Sequence, residues 1–149
     1  MANFDISLVT EKAEDLAKDF VNKRITATQI RKFYNEFKDM QRKYQTRNSN
    51  GNNKEEAFIS ILPQLKIMIA KVSYASARQN VTIPDCFIDW IKEWVLKIEN
   101  SQNFEDFLLH FEAVLGFTVA YQKKKENAQN SHNNSFCQKN HYVNKNNRK

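Results

Sequence analysis

Apolar residues recur along most of this chain at intervals of three and four, the spacing that gathers them on one face of an α-helix. The first such stretch spans about Thr10 to Asn22, with Ala13, Leu16, Ala17 and Phe20 on its inner side. Thr26 and Gln29 then match the capping box, in which a hydroxyl and an amide three residues on satisfy free backbone donors at a helix start. The helix that follows should bury Ile30, Phe33, Tyr34, Phe37, Met40 and Tyr44, and a polar loop around Gly51, Thr46 to Asn53, ends it. Asn53 is placed to cap a third helix, with Glu56 three residues on. Pro63 interrupts it, which leaves either a short helix to Leu62 followed by a new one or a single kinked helix to about Gln79. Leu65, Ile69, Val72 and Ser76 continue an inner stripe, and the small residues Ala70, Ser73 and Ala77 allow close approach of a neighbour. Pro84 suits the first position of a fourth helix, which buries Phe87, Ile88, Ile91, Val95 and Ile98 and carries Trp90 and Trp94. Asn103 and Asp106 open a fifth, with Phe104, Phe107, Leu108, Phe111, Leu115, Val119 and Tyr121. No strand pattern or internal repeat competes. The expected fold is all-α, a compact bundle of five or six helices over residues 1–125.

The pattern stops near Glu126, after which eight of 24 residues are Asn and apolar residues are scarce. Such a segment cannot bury enough surface to offset its ordering entropy, so 126–149 is expected to be a disordered Asn/Lys-rich tail.

Composition narrows the function classes. Gly51 and Gly116 are the only two glycines of 149 residues, too few for a P-loop, a dinucleotide fingerprint or a hairpin-rich β fold. No apolar run is judged long enough to cross a bilayer; the best candidate, Phe107 to Tyr121, contains His110 and Glu112. The first residues lack a basic region followed by an apolar core, so no secretion signal is expected and the cytoplasm is the expected location. There Cys86 and Cys137 should be reduced thiols. His132, Cys137 and His141 resemble metal ligands in type, but they sit in a polar tail without a fourth ligand, so no metal site is assigned. His110 reads as a surface or packed residue, and Glu112, between core-like Phe111 and Val114, as a buried or half-buried salt-bridge partner. No local motif offers a nucleophile, a base and an orienting group together, so no catalytic residue and no cofactor are expected.

The net charge of +6 is unevenly spread. Residues 1–22 hold two Lys and five acids, 23–78 hold twelve Lys/Arg and four acids, 79–121 hold two Lys and seven acids, and 122–149 hold seven Lys/Arg and one acid. A basic centre is flanked by acidic segments, which suits one face for a polyanion and another for a basic neighbour. On the second helix Arg31, Asn35, Lys38 and Arg42 share a side, while Lys32, Glu36, Asp39 and Lys43 read as self-paired solvent surface. On the third, Gln64, Lys71, Ala75 and Arg78 share a face. Packed side by side, these stripes would make a basic track for phosphates. Tyr34, Tyr44 and Tyr74 are assigned first to the core.

The residues Thr26-Ala27-Thr28-Gln29-Ile30-Arg31-Lys32-Phe33-Tyr34-Asn35-Glu36, then Leu62-Pro63-Gln64-Leu65 with Ala70-Lys71-Val72-Ser73-Tyr74 and Arg78, then Phe104-Glu105-Asp106-Phe107 and Phe111-Glu112-Ala113-Val114, resemble the small subunit of the type III-A CRISPR effector, the Csm complex. The match is in order and spans about residues 24–121. The resemblance implies an all-helical, non-catalytic subunit bound in several copies inside the ribonucleoprotein. Its implied partners are guide RNA and target RNA, the repeated backbone subunit, the large polymerase-like subunit and neighbouring copies of itself, with no membrane. The implied RNA-facing residues are Arg31, Lys71 and Arg78; helix geometry adds Lys38 and Arg42. RNA would be held by its backbone without base readout, because a subunit serving many guides must ignore sequence. The alternatives are the equivalent small subunit of the type III-B complex and a helical protein–protein adaptor without RNA binding.

Overall fold

The computed structural model describes residues 3–51, 53–78, 80 and 82–143, with side chains as far as residue 132. A short 3-10 turn (Ile6–Val9) precedes α1 (Glu11–Asn22), α2 (Ala27–Ser49), α3 (Lys54–Lys66), α4 (Met68–Ala77), α5 (Asp85–Lys97) and α6 (Ser101–Val143). The fold is all-α: six helices, or five if α3 and α4 count as one bent rod.

Local chemistry explains the helix ends. At α1 the C-terminus closes by a Schellman pattern, with Ile25 N–H on the Phe20 carbonyl (3.2 Å) and Arg24 N–H on that of Val21 (3.1 Å). Arg24 takes the left-handed conformation there, φ 68°, a position that glycine usually fills. The capping box before α2 forms as its sequence predicts: Gln29 N–H donates to Thr26 Oγ1 (3.2 Å) and Thr26 N–H to Gln29 Oε1 (2.9 Å). Gly51, at φ 93°, supplies the turn into α3. Asn53 caps α3 by accepting from Glu55 N–H.

Of the two readings open at Pro63 the structure takes the single kinked rod, with its bend displaced, and two other expected boundaries move. Pro63 lies inside α3, and the bend falls later, at Ile67, where Ile67 N–H still reaches the Pro63 carbonyl and Lys71 N–H the Ile67 carbonyl, both at 3.1 Å. Hydrogen bonding therefore carries through the bend. Pro84 is the residue before α5, in extended conformation, rather than its first. α6 opens at Ser101, with Asn100 accepting from Asn103 N–H (2.8 Å) and Asn103 accepting from Glu99 N–H (3.2 Å), instead of an Asn103–Asp106 pair.

α6 is the axis of the bundle. α1 runs parallel to it, since Leu8, Glu14 and Asn22 meet His110, Tyr121 and Lys125 in the same order. α2 runs antiparallel to it, with Tyr44 against Phe104, Phe37 against Phe107, Tyr34 against Phe111, and Ala27 N–H donating to Gln122 Oε1 (2.8 Å). The core between them is aromatic. Phe20, Phe37, Phe87, Phe107 and Phe111 are fully buried around Trp90. Lys66 ties α3 to α5: its ammonium donates to the carbonyl of Val95 (2.6 Å), which also accepts from Ile98 N–H, and to that of Ile98 (2.8 Å) at the end of α5.

Several side chains fall elsewhere than expected. Glu112 is exposed, because Val114 and Thr118 take the inward positions of α6. Tyr74 is 70 % exposed and not in the core, whereas Tyr44 is buried and Tyr34 half-buried. Ile88, Leu115, Val119 and Tyr121 are half-buried, at the margin of the core. Burial along α6 ends at Gln122, and residues 123–132 are exposed helix. The rest of the segment expected to be disordered, including Cys137 and His141 of the discounted metal cluster, has its side chains outside the described residues. Cys86 is a half-buried free thiol whose burial pushes its pKa up.

By length and composition the rod Lys54–Ala77, and not the expected candidate Phe107–Tyr121, is apolar enough to cross a membrane. Its inner face, Phe58, Ile61, Leu65, Met68 and Val72, is buried in the bundle. Its outer face is apolar as well: Ile59, Pro63, Ile67, Ala70 and Tyr74 form an exposed stripe.

Candidate nucleic-acid interface

The hairpin of α2 with α3 and α4 fixes where the basic centre of the chain points. Three cross-helix contacts set its register: Arg47 with Ser60, Lys43 Nζ with Gln64 Oε1 (3.5 Å), and Lys71 Nζ with Glu36 Oε2 (3.0 Å). In each pair one partner moves down α2 as the other moves up α3 and α4, which is an antiparallel register. The result is a shallow groove lined by Glu36, Asp39, Met40, Lys43, Gln64, Ile67 and Lys71.

The five basic residues expected to form one track do not come together. Glu36 marks the flank of α2 that meets Lys71. At 100° per residue, Arg31, Lys38 and Arg42 lie about 120–160° around the helix from Glu36. They lie on the side of α2 away from Lys71, although Arg42 pairs with Asp39 at the groove's edge. Arg31 lies there beside Gln122, Lys123 and Glu126. Lys38 Nζ donates to Gln41 Oε1 (2.6 Å) and Arg42 pairs with Asp39, so two of the three are already held within α2. The sequence stripe was sound as a stripe. What it lacked was the side on which α4 packs.

Lys71 lines the groove, and Arg78 is exposed at the C-cap of α4, seven residues on. The residues that join them are ones the sequence reading set aside. Lys43 was assigned to a self-paired flank, yet its contact is with Gln64 across the groove. Arg47 lay in the expected loop and instead continues α2 as helix, with its guanidinium on the Ser60 hydroxyl. Both contacts are with neutral groups, and neither side chain forms an ion pair among the described residues, although Asp39 lines the groove with Lys43; Lys71 shares its charge with Glu36. The signal that would have found Arg47 is the helix continuing past Tyr44 to Ser49, through Gln45, Thr46, Arg47 and Asn48, none of which breaks a helix.

Tyr74, one turn along α4 from Lys71 and 70 % exposed, is the aromatic ring on this surface. The neighbouring apolar stripe, with Ile59 60 % and Ile67 55 % exposed, is contiguous with the groove through Ile67. A groove in which Lys43 and Lys71 stand beside Glu36 and Asp39 and an apolar ridge thus lie side by side on the hairpin. The first suits a phosphate backbone and the second a protein neighbour. Among the described residues, no cluster of His, Cys, Asp and Glu is arranged to hold a metal ion.

A family model described as Csm2 Type III-A matches residues 3–125. No curated protein and no solved structure matches the chain.

Proposed function

The chain belongs to the Csm2 type III-A family, a subunit family of the type III-A Csm complex, and from this premise we propose that it acts as a non-catalytic structural subunit that holds RNA along the α2–α4 groove. In this reading it works in the cytoplasm in antiviral defence, lines the guide–target duplex, and neutralises phosphates of target RNA without reading bases. The apolar ridge beside the groove serves its protein contacts: the repeated backbone subunit, the large polymerase-like subunit and neighbouring copies.

One observation carries the RNA assignment. The antiparallel register lines Arg47 and Lys43 of α2 along Ser60 and Gln64 and continues to Lys71, beyond which Tyr74 and Arg78 are exposed along α4 and at its end. Arg31, which the resemblance also implies as RNA-facing, lies on the other flank of α2 with Lys38 and Arg42. The two flanks are therefore separable by mutation.

The test uses the reconstituted effector with two triple variants, Lys43→Ala/Lys71→Ala/Arg78→Ala and Arg31→Ala/Lys38→Ala/Arg42→Ala. The groove variant should assemble and release target RNA at lower salt, whereas the second variant should behave as the unmutated protein. Loss confined to the second variant would move the RNA path to the other flank of α2. If both assemble and both retain RNA unchanged across salt, the exposed apolar ridge supports the other reading, a protein–protein adaptor.

A further inference from the structure

We propose that a second ligand site, separate from the groove, lies between the end of α1 and α6 and takes a single nucleotide unit, with its phosphate on the ammonium groups of Lys124 and Lys125 and its base against the Tyr121 side of the cleft. The cleft has a volume of about 360 Å³ and is lined by Lys18, Val21, Asn22, Tyr121, Lys124, Lys125 and Ala128. That size falls within the usual range for small-ligand sites.

Three ammonium groups converge on it. Lys18 and Lys124 lie 5.4 and 5.3 Å from the centre of the Tyr121 ring, and Lys125 donates to Asn22 Oδ1 at 3.0 Å. Gathering like charges around one ring is unfavourable by itself, and cation–π attraction offsets only part of it. The carboxylate at hand is Glu14, which accepts from the Tyr121 hydroxyl and lies 3.6 Å from Lys18. Asp15 adds a weaker attraction on Lys18. Lys124 and Lys125 form no ion pair among the described residues, and only Lys124 feels the Glu14 carboxylate at a distance, so three ammoniums share the one nearby acid and an anion entering the cleft is attracted.

The rest of the lining is not what a bare phosphate needs. Val21, Ala128, the aliphatic stems of the three lysines and the Tyr121 ring give the cleft apolar walls, and a flat base buries itself on such walls. An anionic group joined to a planar aromatic one is the chemistry of a nucleotide. Its register on the fold is independent of the groove, because α1 and α6 form this cleft and neither α3 nor α4 contributes to it.

A nucleotide unit has two sources, a free mononucleotide and one residue of an RNA strand, and the probes separate them. Binding of adenosine monophosphate, adenosine, inorganic phosphate and a ten-nucleotide uridine RNA is measured on the full chain by equilibrium dialysis. Four proteins are compared: unmutated, Lys124→Ala/Lys125→Ala, Tyr121→Leu, and the groove variant Lys43→Ala/Lys71→Ala/Arg78→Ala. Circular dichroism shows that each is folded, and Lys124 and Lys125 are exposed, so that pair should not disturb the bundle. The monophosphate should bind more tightly than either adenosine or phosphate. The double lysine variant should weaken it about tenfold or more, and the groove variant should leave it unchanged. If only the RNA responds to Lys124→Ala/Lys125→Ala, the unit belongs to a strand and the site stands. Equal binding of phosphate and monophosphate, or an equal loss of the monophosphate in the groove variant, would reduce the cleft to general electrostatic attraction and overturn the proposal. No effect of the double lysine variant on any probe would overturn it too. Failure here leaves the groove assignment untouched, since that rests on the groove variant's loss of target RNA in the assembled effector.

Discussion

The indole N–H of Trp90 donates to Nε2 of His110 across 3.1 Å inside the bundle, while Nδ1 of the same imidazole lies 2.5 Å from the Leu8 carbonyl. An indole only donates and a carbonyl only accepts, so the two contacts together select the neutral tautomer with its proton on Nδ1. That tautomer pins the 3-10 turn at the N-terminus to α5 and α6.

The same geometry sets a pH dependence. Burial lowers the His110 pKa from 6.5, with a smaller opposing contribution from the Leu8 bond and a further lowering by Lys12. Because the folded value lies below the unfolded one, the unfolded chain takes up more protons as pH falls through about 6.5. This contribution to stability is complete above that pH and is lost as pH drops toward the folded pKa. Urea titrations between pH 7.5 and 4.5 should therefore show a steeper fall in the unmutated protein than in His110→Phe. Parallel curves would show that His110 does not titrate on unfolding.

Phe111 touches four aromatic partners, Tyr34, Phe37, Trp90 and Phe107, and has no exposed surface. Phe111→Ala should cost about 3–5 kcal/mol of unfolding free energy, the usual range for a core phenylalanine. A loss below about 1 kcal/mol in a urea titration would place this face of α6 outside the core.

Most of the fold was legible because its signals are local. The spacing of Phe33, Phe37, Met40 and Tyr44 identifies the inner face of α2, and Thr26 with Gln29 marks its start. The site was legible only as stripes. Whether Arg31 or Lys43 faces α3 depends on which flank of α2 the hairpin covers, a tertiary fact that apolar periodicity does not contain. Glu112 and Tyr74 misled for a related reason. Each neighbours core residues in sequence, yet a helix turns adjacent positions 100° apart, and Val114 and Val72 take the inward places. Lys66 was hidden among the cations of a basic segment, since nothing local shows that the end of α5 arrives there.

Lys66 gives the third prediction. Its ammonium donates to the Val95 and Ile98 carbonyls, and Lys66→Met keeps most of the aliphatic stem while leaving both acceptors without this donor. The loss should be about 1–3 kcal/mol, the range for hydrogen bonds to a charged group. Hydrogen exchange should accelerate first at the end of α5, and an unchanged melting temperature with unchanged exchange there would remove Lys66 from the account of how α3 and α5 are held together.

Arg24 makes the opposite kind of prediction. Its φ of 68° is imposed by the Schellman closure of α1, and a side chain there is strained in a way that glycine is not. Arg24→Gly should raise stability by a few tenths to about 1 kcal/mol, reduced somewhat by the extra freedom glycine gives the unfolded chain. A lowered melting midpoint would mean that the arginine side chain makes a favourable contact larger than the strain.

The groove is tested most sharply at the pair Glu36 and Lys71. Their contact of 3.0 Å joins side chains 32 % and 54 % exposed, and an exposed pair of this kind is worth about 1 kcal/mol or less. A phosphate reaching Lys71 must displace that carboxylate or share the ammonium with it. Glu36→Gln keeps the shape and removes the competitor, so single-stranded RNA should bind the variant about two- to fivefold more tightly. The slope of log affinity against log salt should steepen by about 0.7, the value for one further phosphate contact on a single strand. Removing any acid strengthens attraction for RNA, so Glu93→Gln, which loses the same charge on α5 away from the groove, supplies the baseline. The gain must exceed that baseline and must shrink to it when Lys71→Ala is present in both members of the comparison. If Glu36→Gln and Glu93→Gln raise affinity equally, or the gain survives without Lys71, then the ammonium of Lys71 is not on the RNA, and the path belongs to the other flank of α2.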